Sequence, residues 1–108
     1  MISEATFNGL SRELTFSTNQ TLGYGARIHL LFASVGSRTI SLPDARRLPL
    51  GWPMMILANI GSNAFAVNDN AGGSIAASVA ANQWLVLALL VNTTQAGTWV
   101  ADLRTKLS

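Results

Sequence analysis

The chain has 108 residues, of which 49% are hydrophobic and 11% are charged, and its formal net charge is +2. Soluble domains usually carry about 25% charged residues, so a solitary protein of this composition would have a thinly shielded surface. The composition excludes a disordered chain, which combines high net charge with low hydrophobicity. The absence of cysteine excludes disulfides, thiolate metal sites and cysteine nucleophiles.

Charge and hydropathy also bear on the partners of the chain. The isoelectric point near 10.0 reflects a small excess of cations in a small charge total. No basic cluster interleaved with aromatics is present, so we expect no nucleic-acid partner. The longest apolar run, residues 84–91, is far shorter than the ~20 residues of a membrane-spanning helix, and no membrane partner is predicted. The start of the chain, Met1 to Glu4, has no basic segment before an apolar one, so we expect no secretory signal.

Short apolar runs separated by Gly, Pro, Asn, Asp and Ser indicate strands and turns from about residue 12 to residue 103, within a single predicted domain of residues 12–108. The predicted strands are 12–18, 26–34, 38–42, 52–60, 64–68, 74–80, 83–92 and 97–103. They predict an all-β domain, a compact antiparallel β-sandwich or jelly-roll-like barrel of about eight short strands, with residues 1–11 as an N-terminal arm. A helix over 74–91 is the alternative, since alanine and leucine favour helices.

Alternation assigns side chains to the two faces of each strand. In 26–34 it places Ile28, Leu30 and Phe32 on one face, interpreted as the core face, and His29 on a mixed face. Strands 52–60 and 83–92 are apolar on both faces, and such strands must be covered twice. A single core covers one face, so the other is expected to pack on a second subunit in a symmetric homo-oligomer. The residues predicted to form that interface are Leu31, Met55, Leu57, Leu85, Leu87 and Leu89.

Few residues suit catalysis or ligand binding. His29 is the single histidine, and no Gly-x-Ser-x-Gly motif or paired carboxylates accompany it, so no catalytic residue is assigned and we expect no enzyme. The loop 68–73 resembles the opening of a calcium loop, but Val79 stands where a closing glutamate is required, so a turn is preferred and no metal or cofactor is predicted. Trp52, Trp84 and Trp99 are possible ligand-stacking residues, although core or subunit contact is the preferred interpretation.

From residue 40 onward the order of several short motifs is informative. They are ISLPDA at 40–45, LPLGW at 48–52, ILANIGS at 56–62, VND at 67–69 followed by GGSI at 72–75, and AGTWV at 96–100. In this order they resemble the small β-rich modules of tailed-bacteriophage virion proteins, in capsid decoration proteins, head fibres and tail fibres. The first 25 residues do not match that pattern.

The resemblance implies a function without catalysis. We expect a structural virion protein, a homotrimeric capsid decoration (cement) or fibre-type subunit, assembled in the host cytoplasm and located in the virion. Its partners would be its own copies and other virion proteins, such as a major capsid or tail protein. The alternative is a receptor-binding or carbohydrate-binding tip module of a tail fibre.

Overall fold

The computed structural model describes residues 11–24, 27–50 and 55–105. The strands are β1 (Ser11–Phe16), β2 (Gln20–Thr21), β3 (Ile28–Ala33), β4 (Arg38–Ser41), β5 (Met55–Asn59), β6 (Phe65–Asn68), β7 (Ser74–Val79), β8 (Gln83–Val91) and β9 (Thr98–Thr105), with one 3-10 turn at Ala45–Arg47. These ranges contain no α-helix, which confirms the all-β prediction. All eight predicted strands occur, and the two-residue β2 is an addition.

The strands form two mixed sheets that pack against each other. One sheet has the order β1-β3-β5-β8-β9, and the other has the order β2-β4-β6-β7. Up to β6 the chain adds one strand to each sheet in turn, so that β1, β3 and β5 are parallel neighbours, as are β2, β4 and β6. The last three strands pair antiparallel: β7 with β6, β8 with β5, and β9 with β8. The antiparallel arrangement predicted for the whole domain therefore holds only for its C-terminal part, because strands that alternate between two sheets return to each sheet in the same direction.

The core lies between the two sheets. Fully buried side chains come from both of them, including Leu31 and Leu57 of the five-stranded sheet and Ile40 and Val67 of the four-stranded sheet. The rings of Phe16 and Phe65 meet edge to face with centroids 5.9 Å apart. Such an edge-to-face arrangement is favoured by the charge distribution of aromatic rings.

A buried amide joins the sheets at one end of the core. The Asn59 side chain, only 5% exposed, donates hydrogen bonds to the carbonyl oxygens of Asn63 and Val79, and its oxygen accepts from the Gly61 N–H. Val79 ends β7 in the opposite sheet. Since a buried amide is costly unless its donors and acceptor are paired, this network fixes the relative position of the two sheets.

The β8–β9 hairpin packs against the 3-10 turn. Ala45 donates its N–H to the carbonyl oxygen of Gln95, and the Asn92 amide donates to the carbonyl oxygen of Leu48. Gly97 lies at this contact with φ +70°, and a Cβ there would be 2.5 Å from the Ala45 Cβ. Only glycine fits both this backbone conformation and this space.

The helical alternative for 74–91 is wrong in this structure. Residues 80–82 turn the chain between β7 and β8, with Asn82 in the left-handed region at φ 66°. The Gln83 side chain accepts from the Ala80 N–H within the same turn. Asparagine tolerates positive φ better than other side-chain-bearing residues, which explains why an Ala- and Leu-rich segment is divided into two strands here.

Candidate subunit interface

The five-stranded sheet has an outer face, turned away from the core, that is apolar across its three central strands β3, β5 and β8. Its members follow the period-2 alternation of strands and are half-buried or exposed. They are Ile28, Leu30 and Phe32 on β3, Ile56 and Ala58 on β5 with Ile60 directly after it, Trp84, Val86, Ala88 and Leu90 on β8, and Val100 on β9. We call this set the outer face.

The outer face is continuous because its side chains are direct neighbours across the strands. One row joins Leu30 to Ala58 and Ala58 to Trp84, while the next row joins Ile28 to Ile56 and Ile56 to Val86. Directly opposed side chains on adjacent strands lie about 4.5–5.5 Å apart, so the rows form one patch.

Several side chains of the outer face are substantially exposed. Phe32 is 38% exposed, Ile60 48%, Val100 49% and Leu90 54%. Phe32 lies close against Gly61, where an added Cβ would be 3.1 Å from the ring. Glycine at this position therefore lets the aromatic ring lie close over the backbone at the edge of the patch.

Charged residues flank this apolar centre. Glu13 on β1 is the neighbour of Leu30, and on β9 Asp102 and Arg104 are the neighbours of Val86 and Trp84. Asp102 and Arg104 form an ion pair of 2.7 Å with both side chains more than half exposed. An apolar centre with a polar rim is the usual anatomy of a protein–protein interface.

The structure corrects the residues that were predicted to form the interface. Leu31, Met55, Leu57, Leu85, Leu87 and Leu89 are all between 0 and 2% exposed. They belong to the core of a single chain, so they are not available to a second copy. The doubly apolar strands are present as predicted, but the opposite face of each strand is the uncovered one.

The assignment of faces in β3 is reversed in the same way. His29, Leu31 and Ala33 are buried, whereas Ile28, Leu30 and Phe32 lie outside. Periodicity assigns the more apolar face to the core, and here the more apolar face points outward. The buried faces of β3 and β5 each include a polar residue, His29 and Asn59. Alternation therefore favours the opposite, more apolar face of each strand as the core face, and no other signal in the sequence corrects this assignment.

The three tryptophans predicted as possible stacking residues differ in their surroundings. Trp52 lies outside the described residues. Trp99 packs against the core and donates its indole N–H to the Ala96 carbonyl oxygen at 2.9 Å, so it supports the β8–β9 hairpin. Trp84 is half-buried and lines a groove of about 330 Å³ with Ala58, Asn59, Ile60, Asn82 and Gln83.

The other candidate residues are engaged in local structure. His29 is 2% exposed on the core face of β3 and has an interaction partner. In the loop predicted to be a turn, the Asp69 carboxylate accepts from the N–H groups of Ala71 and Gly73, which confirms the turn. Within residues 11–24, 27–50 and 55–105, no group of three or more His, Cys, Asp or Glu side chains is placed to hold a metal ion.

The ion pair of Asp44 and Arg46 lies at the 3-10 turn. The Arg46 guanidinium donates to Asp44 at 3.0 and 2.6 Å, and the Arg46 backbone N–H also donates to this carboxylate. These hydrogen bonds favour the ionised carboxylate and lower the pKa of Asp44. Asp44 caps the turn, and Arg46 holds its carboxylate in place.

Comparisons with known proteins give no relative for this chain. No family model, curated protein or solved structure matches it. In the part of the chain that the structure describes, no helix is long and apolar enough to cross a membrane.

Proposed function

We propose that this protein is a structural subunit that acts by self-assembly through the outer face. The observation that carries the proposal is that in β3 and β5 the uncovered face is more apolar than the face in the core. An antiparallel or mixed sheet that meets water on one side normally carries polar residues there. An apolar outer face is therefore better explained by a protein partner than by solvent.

The magnitude of the hydrophobic effect supports this proposal. Covering about 400 Å² of apolar surface stabilises an assembly by about 10 kcal/mol before the costs of association. A surface formed by Leu30, Ile56, Trp84 and their neighbours can be covered by the corresponding surfaces of two other copies around a three-fold axis, since most homo-oligomers have closed symmetry.

In its finer form the proposal is a bacteriophage virion subunit. The resemblance of the motifs between residues 40 and 100 to phage decoration and fibre modules supports this role, and the all-β, sandwich-like fold agrees with it. The favoured assembly is a homotrimer that attaches to a capsid or tail protein as a decoration or fibre-type subunit, without catalysis.

Light scattering coupled to size-exclusion chromatography tests the assembly. We expect the purified wild type to be an oligomer at micromolar concentration, with trimer as the expected mass. The double variant Ile60→Lys with Leu90→Lys places two charges on exposed positions of the outer face and is expected to give folded monomers. Circular dichroism checks that the fold is retained.

A matched control separates the effect of position from that of net charge. Ser74→Lys with Ala77→Lys adds the same charge on exposed positions of β7, in the four-stranded sheet. This control is expected to keep the wild-type mass. A wild type that is monomeric at micromolar concentration, or a control that dissociates as fully as the outer-face variant, contradicts the proposal.

The virion role has its own test. Antibodies against the purified chain should label phage particles in negative-stain electron microscopy, at regular positions on the head or tail. Labelling of disrupted host cells without labelling of purified particles would contradict a place in the virion while leaving the assembly measurement untouched.

The groove beside Trp84 favours one alternative, a carbohydrate-binding tip module. An indole face with neighbouring amides such as Asn82 suits a neutral sugar, which stacks its apolar face and hydrogen-bonds its hydroxyls. A glycan and a second copy on the outer face would compete for the same indole. Reproducible glycan-array binding by the wild type that is lost in Trp84→Ala would favour this alternative.

A further inference from the structure

The strand β9 is a long open edge of the five-stranded sheet. It pairs with β8 on one side and has no neighbour on the other among the described residues. Seven of its eight residues are exposed. Leu103 is 43% exposed, although it lies opposite the buried Leu85 and so points to the core side of the sheet. One row of backbone N–H and C=O groups along β9 is therefore free to pair with another chain.

The edge lacks most of the features that protect other sheet edges. Residues 98–105 contain no proline and no lysine. The pairing with β8 is regular from Trp99 to Thr105, and the single register shift lies near Thr98. Short edge strands, bulges, prolines and charged side chains, lysine especially, are the usual means by which proteins prevent edge pairing. Of these, β9 has only the charges of Asp102 and Arg104, which pair with each other. A regular, exposed edge of this length can add a strand.

The two charges on β9 select one register for pairing with a second copy. In an antiparallel pair related by a two-fold axis through the sheet, the residue on the axis faces itself. If the axis passed through residue 102 or residue 104, like charges of the two copies would face each other. If it passed through residue 101, Asp102 would face Val100 of the second copy. Centring on Leu103 places Asp102 opposite Arg104 of the second copy, twice by symmetry. Opposite charges directly across two strands stabilise the pair.

We propose that β9 pairs antiparallel with β9 of a second copy, with Leu103 on the two-fold axis. Residues 101–105 of each copy then face one another, and the two five-stranded sheets become continuous. A ladder of this length buries little surface and belongs among weak interfaces. This contact runs along the sheet edge, at the charged rim of the outer face and not on its apolar centre, so it would link oligomers formed there into larger assemblies, where several weak contacts act together.

Cysteine cross-linking tests the register directly, because the natural chain has no cysteine. In the proposed pair the two copies of residue 103 are directly opposed, at Cα distances of about 4.5–5.5 Å that a disulfide can span. Leu103→Cys is therefore expected to form a covalent dimer under mild oxidation. Ala101→Cys is the matched control, because it is exposed on the same face and lies about 13 Å from its own copy in this register.

Charge variants test the role of the two ion pairs. In the Leu103→Cys background, Arg104→Glu opposes two acids and is expected to slow cross-linking by about tenfold. Exchanging both charges, Asp102→Arg with Arg104→Asp, restores the opposition of unlike charges and should restore the rate of the Leu103→Cys parent. Circular dichroism checks that each variant is folded.

Three outcomes would overturn this contact. They are equal cross-linking of Leu103→Cys and Ala101→Cys, an Arg104→Glu variant that cross-links as fast as its parent, and an exchanged variant that remains slow although folded. The cross-link should persist when Ile60→Lys and Leu90→Lys are added, so a failure of the outer-face proposal is distinguishable from a failure of edge pairing. Loss of the cross-link in that folded variant would also overturn a separate edge contact.

Discussion

The outer faces of the two sheets differ sharply in chemistry. On the four-stranded sheet the outward rows pair Thr39 with Ala66, and Ser41 with Asn68 and then Ser74. On the three central strands of the five-stranded sheet the corresponding rows are formed by leucine, isoleucine, valine, alanine and tryptophan. The two sheets share one core, and both contribute large apolar residues to it. What distinguishes them is the side that faces away.

This difference separates stability from association. Small and hydroxyl-bearing side chains leave the four-stranded sheet well solvated, so that sheet needs no further cover. The five-stranded sheet completes the core and still presents apolar side chains beyond it. The core therefore explains folding of the single chain, and the surplus on one sheet is what a partner would cover. The following predictions test this division.

The largest effect on stability is expected from substitution of one of two adjacent residues on β5 whose side chains point to opposite sides of the sheet. Leu57→Lys places a charge at a position that is 0% exposed, so the protein should unfold, with a loss of more than about 4 kcal/mol. Ile56→Lys puts the same charge on the outer face, where the long side chain can reach water. This variant should remain folded and lose its oligomers. Circular dichroism measures folding and light scattering measures oligomeric mass for both variants. Unfolding of both would contradict the assignment of Ile56 to the outer face.

A smaller loss is expected where the Asn59 amide joins the two sheets. Asn59→Ala removes three hydrogen bonds and leaves buried partners unpaired, which should lower the free energy of unfolding by about 3 kcal/mol. Asn63→Ala removes one side-chain hydrogen bond, to the Ala33 carbonyl oxygen, and should cost about 1 kcal/mol. Urea denaturation measures both. Equal losses would mean that the network at Asn59 is not what fixes the two sheets.

Substitutions at two glycines with positive φ allow the hairpins of the two sheets to be compared. Gly97→Ala, in the β8–β9 hairpin, meets atoms of Ala45, Leu89 and Val91 within 3.0 Å and should cost about 2–3 kcal/mol. Gly72→Ala, between β6 and β7, has φ +96° but no atom within 4 Å of the added Cβ, so about 1 kcal/mol is expected from the backbone alone. Thermal unfolding of both variants checks the difference. A larger loss at Gly72 would contradict the tight contact at Gly97.

The smallest effect is expected at the surface ion pair of Asp44 and Arg46, in which Arg46 is exposed and Asp44 is half-buried. Hydrogen bonds from Arg46 lower the pKa of Asp44 below its ordinary value of 3.8, so the pair stabilises the fold above about pH 4 and this contribution is lost as the pH falls further. Arg46→Ala should be nearly silent at pH 7, because exposed pairs contribute little. Its melting temperature should approach that of the wild type as the pH is lowered to about 3. A gap that widens instead would contradict this account.

Much of the fold could be predicted from local features of the sequence. The turns around Asp69 and Gly97 and the strands between them follow from residues that favour tight turns and from alternating apolar residues. The parallel pairing of β1, β3 and β5 could not be predicted, because the direction of pairing depends on which sheet each successive strand joins. Nothing local encodes that choice.

The candidate interface was predictable in kind and not in position. The sequence shows that β5 and β8 are apolar on both faces, which indicates that one face packs in the core and the other against a second subunit. Met55, Leu57 and Leu87 nevertheless lie in the core, and Ile56, Ala58 and Val86 lie outside. Alternation assigns residues to two faces but gives no rule for choosing between faces that are both apolar.

The sequence by itself determined the all-β class, the positions of most strands and turns, the absence of thiol chemistry and the surplus of apolar residues. Only the tertiary structure decided which face of each strand is covered and which strand remains an open edge. The physical reason is range: turn preference and alternation act between neighbouring residues, whereas the choice of face depends on where the second sheet packs, which is set by contacts between residues distant in the chain.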